Sequence, residues 1–265
     1  MYKPTRFIPK NLSISKWEDI QPYFQTLVNQ EINTIDDLTR LIQHFSDTLA
    51  VFYEKYAWSY INMSCHTDDQ GYVDTYENFS TKISPEVQKS SNKIEKKIRD
   101  SVFFDKLNIQ RYNQFKKHLV RDIELFKKEN VDLHAQIATL SSKFEQITGG
   151  LTVTIDGDEL PIPKAAVKLQ NENRNIRKNA WIAIWEERYK IRESLDEIYD
   201  EMIRLRHKIA VNTGYSNYRD FQHDNLHRFD YTPDDAKNFH DAIEKHIVPL
   251  AREIGERHRK KLDVS

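Results

Sequence analysis

The sequence predicts a mainly α-helical protein, built of long antiparallel helices and interrupted by one small β-hairpin at about 150–163. Three observations carry this reading. Only 6 glycines and 8 prolines punctuate 265 residues, so turns are few and helices long. Apolar residues recur at intervals of three and four along most of the chain, which is the period of one helix face. Gly149-Gly150 then opens a short stretch of two-residue alternation, the period of a strand.

In chain order, the first helical spacing covers 15–29. Ile35, Leu38, Ile42, Phe45, Leu49, Phe52 and Tyr56 form the next stripe. Thr34 precedes it as an N-cap whose hydroxyl can accept from a first-turn amide, and Asp36 and Asp37 favour the positive end of the helix dipole. Further helices are expected over 85–104, 109–128 and 131–146. Leu151 to Ile155, the turn Asp156-Gly157 and Glu159 to Pro163 read as a hairpin. Ile184, Ile191, Leu195, Ile198, Met202, Leu205 and Ile209 come next as a single segment that suits an antiparallel helix pair. Ser216 is the expected N-cap of a short helix carrying Tyr218, Phe221, His223 and His227. Thr232, with Pro233 at the first helical position and Asp235 three residues after the cap, opens a last helix. Pro249 lies inside its pattern, where a kink or break is expected.

Lys+Arg 40 against Asp+Glu 41 leaves a net charge of -1, so nothing draws the whole molecule to nucleic acid or anionic lipid. No run approaches the roughly 18 apolar residues of a membrane span, and the amino terminus lacks an apolar signal region. A cytoplasmic protein is expected. The single cysteine, Cys65, allows no intramolecular disulfide and is expected to be a buried core thiol.

His223 and His227 stand at i and i+4 with Asp224 between them, which on a helix would put two imidazoles on one face beside a carboxylate. In a zinc peptidase the corresponding motif is H-E-x-x-H, and it occurs nowhere in this sequence. Asp is one methylene shorter than the Glu that must reach a metal-bound water, and Gln222, Asn225 and Arg228 give the segment no apolar stripe to hold ligands rigid. The two histidines are therefore expected to be solvated or hydrogen-bonded at the surface. No glycine-rich phosphate loop or dinucleotide fingerprint appears.

The run Gly214-Tyr215-Ser216-Asn217-Tyr218-Arg219-Asp220, then Arg228-Phe229-Asp230-Tyr231-Thr232-Pro233-Asp234-Asp235, His240 and Val248-Pro249-Leu250, resembles the middle of the oligoendopeptidase F family, zinc metallopeptidases of the M3 group. Upstream, Arg174 to Trp181 resembles the family's Arg-x-x-Arg-x-x-Ala-Trp helix, and Arg206-His207-Lys208-Ile209-Ala210 its segment before the Gly-Tyr. The resemblance is strong from about Leu151 to Leu262 and architectural before that. It implies cytoplasmic endopeptidases that cut short peptides in a deep channel between two helical halves. Zinc is held there by the two His of H-E-x-x-H and a distant Glu, and the motif's Glu activates the zinc-bound water.

Those ligands belong to the second half of a longer chain, so residue-by-residue transfer assigns no catalytic residue and no metal ligand here. The expectation is an amino-terminal portion, inert alone, that needs the missing catalytic half as partner. Residues 1–148 would form helical hairpins and a lid, and 149–265 the start of the peptidase body. Tyr215, Tyr218, Arg219, Arg228 and Tyr231 are the candidates for lining the channel or contacting the missing half, the alternative being helix packing with Arg paired to Asp220 or Asp230. An uncovered apolar patch and self-association would result. The alternative is a standalone helical protein that binds peptides or a partner on the same scaffold without enzymatic activity.

Overall fold

The computed structural model describes residues 7–263, so part of the amino-terminal stretch read for a targeting signal lies outside the described residues. The first half is helical throughout: α1 (Trp17–Asn29), α2 (Ile35–Cys65), α3 (Gln70–Asn78), a π-helical turn (Phe79–Ile83), α4 (Ser84–Arg99), α5 (Ile109–Leu125) and α6 (Lys128–Gly149). Its core packs Ile20, Phe24 and Leu27 of α1 against Leu38, Leu41 and Phe52 of α2 and Ile94 and Ile98 of α4. Thr34 caps α2 as its sequence position predicts, its hydroxyl accepting from the Asp37 amide at 3.1 Å. The helix runs past Tyr56 because buried Ser59 and Met63 continue the same three-and-four spacing.

Cys65 is exposed, not buried. It lies two residues beyond Met63, a bit over half a turn around the helix, which turns it away from the packed face. α4 also stops short of the expected end. Residues after Arg99 form successive turns that fold Phe104 and Leu107 back onto the core. Lys97 reaches from α4 to the carbonyl end of α1, donating to the Val28 carbonyl at 2.7 Å and to that of Gln30, and so satisfies acceptors the helix leaves free.

The hairpin pairs β1 (Thr152–Ile155) with β2 (Asp158–Pro161), Val153 opposite Leu160. Asp156 and Gly157 both take positive φ, 59° and 91°, the left-handed pair that a two-residue hairpin turn demands. The second strand ends at Pro161, before the expected Pro163, because Ile162 enters the short helix α7 (Ile162–Ala166). A 3-10 turn (Val167–Gln170) leads to α8 (Arg174–Lys190) and α9 (Arg192–Asn212). The single helical segment expected over 184–209 is thus two helices, parted at Ile191. Their apolar residues serve different partners: Ala180 and Ile184 pack on the hairpin, whereas Leu205 and Ile209 pack with Leu125 and Leu133.

α10 (Tyr218–Asn225) is capped by Asn217, one residue after the expected Ser216, with the Asn217 side chain accepting from the Asp220 amide at 3.0 Å. α11 (Pro233–Leu262) begins with the expected capping box of Thr232 and Asp235. It is continuous across Pro249, so no break occurs there, and none of its residues is buried.

Phe52 is 1% exposed and meets the rings of Tyr53, Tyr56 and Phe79. Phe52→Ala is expected to cost about 3–5 kcal/mol, read as a lowered urea midpoint with an unchanged slope.

Candidate functional site

The residues singled out by the sequence gather where the end of α9 turns into α10. Gly214 makes that turn with φ of 92°. Tyr215 and Tyr218 then pack beside Leu205, Ile209, Ala210 and Phe221 in a small second core. The Tyr215 hydroxyl donates to Asp224, and that of Tyr218 to Gln222 at 3.0 Å. Burial, and then Asp224, push the Tyr215 phenol up to about 12. Arg219 faces solvent and pairs with Asp220 at 2.8 Å. Arg228 lies over the Tyr231 ring at 5.9 Å. The five candidates therefore separate into two half-buried tyrosines with engaged hydroxyls and an outward group of Arg219, Arg228 and Tyr231.

The histidine pair does not share a helix face. α10 ends at Asn225, and His227 lies beyond it with a left-handed backbone, φ 53°. Its Nε2 meets Asp122 of α5 at 2.7 Å, and its ring stacks on His118 at 4.2 Å. His223 points elsewhere and, against the expectation of a surface histidine, is buried: its ring is edge-on to Tyr231 at 5.3 Å, and its Nε2 has no protein partner. Asp224 serves Arg121 of α5 at 3.1 Å as well as Tyr215. The HDNLH segment is thus a clasp between α10 and α5. Among the described residues no group of three His, Cys, Asp or Glu side chains is arranged to hold a metal ion, so this chain's own donors do not fit a zinc site.

Beneath that clasp lies a cleft of about 400 Å³ between α2, α4, α5, α6 and α10. Tyr53, Ser91, Glu95, Asp122, His134 and His227 line it with Leu49, Val87, Leu125, Val131 and Phe221. Tyr53 and His134 reach solvent yet have protein on most sides, as side chains on a concave wall do. Burial accordingly raises the Tyr53 phenol and holds the His134 imidazole below its ordinary range. Burial and then the Asp122 carboxylate push the Glu95 carboxyl up to about 7, against the opposing field of Lys96. No hydrogen bond contributes. Sequence reading missed Glu95, although one signal was there: with Ser91 it continues from Val87 at i, i+4, i+8, a polar pair extending an apolar stripe.

Glu95 stays protonated in the fold from its ordinary 4.5 up to about 7, so its contribution to stability is present below 4.5 and lost as pH rises through 7. Glu95→Gln removes the charge that burial opposes. It is expected to stabilise the fold by about 1–3 kcal/mol at pH 8 and to change it little at pH 4.5, measured by urea unfolding at both.

Comparison with known proteins places this geometry. The family signature "Peptidase M3 N-terminal domain" matches residues 9–129, and "Peptidase family M3" matches 167–264. No curated protein sequence gives a significant match. Among solved structures, a Bacillus anthracis str. Ames protein assigned as oligoendopeptidase F superposes with a TM-score of 0.88 at 24% identity, covering 94% of this chain and 46% of its own. PZ peptidase A with an inhibitor gives 0.87 at 20% identity, covering 97% and 46%. Oligoendopeptidase-F from Enterococcus faecium gives 0.69 at 16%, covering 94% and 53%. At these identities the likeness shows the fold, and the chain spans about half the length of the structures it matches. With the two signatures together reaching from the first helices to the end of α11, the chain belongs to peptidase family M3.

Proposed function

We propose that this chain is the amino-terminal part of a zinc-dependent oligoendopeptidase that hydrolyses short peptides in the cytoplasm, that it supplies the lid and one wall of the substrate channel, and that it is inert alone. The observation that carries the reading is α11. Phe239, Ile243, Ile247, Leu250 and Ile254 recur at helical spacing on one side of it, and Phe239 and Ile247 are 64% and 54% exposed. A contiguous uncovered apolar face of this kind marks an interface, since burying it returns about 25 cal/mol per Å². The M3 signature covers this helix, and the solved structures that match are about twice as long. No helix among the described residues is long and apolar enough to cross a membrane.

In this reading residues 1–148 are the lid and 149–265 the start of the peptidase body. Zinc and its H-E-x-x-H ligands belong to a catalytic half that docks on α11. Tyr215 and Tyr218 hold α10 in place, and Arg219, Arg228 and Tyr231 meet peptide or the catalytic half.

With zinc and a quenched fluorogenic peptide, the chain alone is expected to give no hydrolysis. Together with a polypeptide carrying the H-E-x-x-H half it is expected to give hydrolysis that a chelator stops. Ile247→Glu/Leu250→Glu should abolish that association while leaving the unfolding midpoint within about 0.5 kcal/mol. Turnover by the chain alone would defeat the reading. Peptide binding without hydrolysis in the presence of that half would favour a non-enzymatic binding protein instead.

A further inference from the structure

We propose that the cleft between α2, α4, α5 and α6 is a binding site for an organic cation, an alkylammonium or alkylguanidinium group of the kind a Lys or Arg side chain presents. The inference stands apart from the peptidase reading.

The lining has the parts such a ligand needs. Glu95 brings a carboxyl to which no hydrogen bond is made, on the same face of α4 as Ser91. Ser91 is 9% exposed, and its hydroxyl oxygen is buried without a partner, which is costly unless something bound there supplies a donor or acceptor. Asp122 stands across from them on α5, close enough for its charge to be felt at Glu95. Tyr53 adds an aromatic wall, the surface on which ammonium and guanidinium groups rest. Leu49, Val87, Leu125 and Val131 provide an apolar lining for an alkyl stem, and about 400 Å³ lies within the range of small-ligand sites.

The same features select among ligands. An anion would meet the Asp122 carboxylate and, above about 7, that of Glu95 as well, against the single ammonium of Lys127 in the lining. A bare divalent metal ion would find no group of three donors arranged around one point among the described residues. An organic cation carries its own N–H donors, which Glu95, Asp122 and the Ser91 hydroxyl can accept, and it needs no coordination polyhedron.

Charge state supplies a second readout. The ionisable groups facing Glu95 are Tyr53 of α2, Asp122 of α5, Lys127 and His134 at and in α6, and His227 after α10, with Lys96 on its own helix. A cation binds the ionised carboxylate, so affinity should fall as Glu95 takes up its proton near 7, by about tenfold from pH 8 to pH 6. Protonation of His134 acts in the same direction, so the Glu95 share is the part of the slope that Glu95→Gln removes.

The experiment is isothermal titration of the 265-residue chain with three probes: agmatine, a peptide blocked at both ends with one central Arg, and the same peptide with citrulline in its place. Binding of agmatine or of the Arg peptide at pH 8, at least tenfold tighter than the citrulline peptide, is expected. Whichever of the two binds more tightly tells a free amine from a peptide side chain as the source. Glu95→Gln, checked for an unchanged or raised unfolding midpoint, should weaken binding at least tenfold and flatten the pH dependence. Equal binding of the citrulline peptide, no binding of either cation, or an unaltered affinity and pH slope in Glu95→Gln would each overturn the proposal.

Discussion

The buried side chain of Asn130 ties the start of α6 to the end of α9. At the start of α6 its amide nitrogen donates to the Ile209 carbonyl and to Thr213 Oγ1, both at 3.1 Å, and its oxygen accepts from Asn212 Nδ2 at 2.7 Å. Both faces of the amide are thereby used, at a place where each unmade bond costs about 1–3 kcal/mol. Slipping α9 along α6 by one residue would break all of these bonds together, so the register of the two helices is set at this point. Leu125, Leu133, Leu205 and Ile209 fill the contact around it, but apolar contact alone does not choose a register.

The segment after Asn212 inherits that placement. Gly214 turns the chain within two residues, α10 starts four residues later, and Asp224 and His227 arrive over α5. There Arg121 and Asp122 receive them, at 3.1 Å and 2.7 Å. The contact closes one side of the cleft and makes the setting of Glu95 drier. Two neighbouring carboxyls in such a place are not both comfortable as anions. Asp122 is met by the His227 ring, whereas Glu95 has no partner and keeps its proton to near neutrality.

The parts of this arrangement legible in the sequence are those whose physics is satisfied within a few residues. Thr34 and Thr232 cap their helices with bonds three residues away, and Asp156-Gly157 supplies its own left-handed turn. Elements fixed by distant partners were not legible. His227 stands at helical spacing from His223, yet the helix ends between them and its partner, Asp122, is 105 positions away. The stripe from Ile184 to Ile209 reads as one helix because a break at Ile191 costs no apolar position, only a change of partner. Glu95 sits among Lys93, Lys96 and Lys97 in a segment that reads as a solvated face, and only the helices around it make it a half-buried acid.

α11 brings local and distant physics into direct competition. Its own sequence stabilises it: a capping box at Thr232, Asp234 and Asp235 at the positive end of the dipole, Arg259, Lys260 and Lys261 at the negative end, and pairs such as Arg257 with Glu253. Such pairs contribute roughly 0.2–0.5 kcal/mol each and the cap about 1 kcal/mol. Against this stand Pro249, which removes a hydrogen bond in mid-helix, Gly255, and a row of apolar side chains that gain nothing by facing water. A helix of 30 residues with no buried position has little of the tertiary packing from which most helices draw their stability. A partner docking on Phe239, Ile247 and Leu250 would therefore both bury an apolar face and consolidate the helix that presents it.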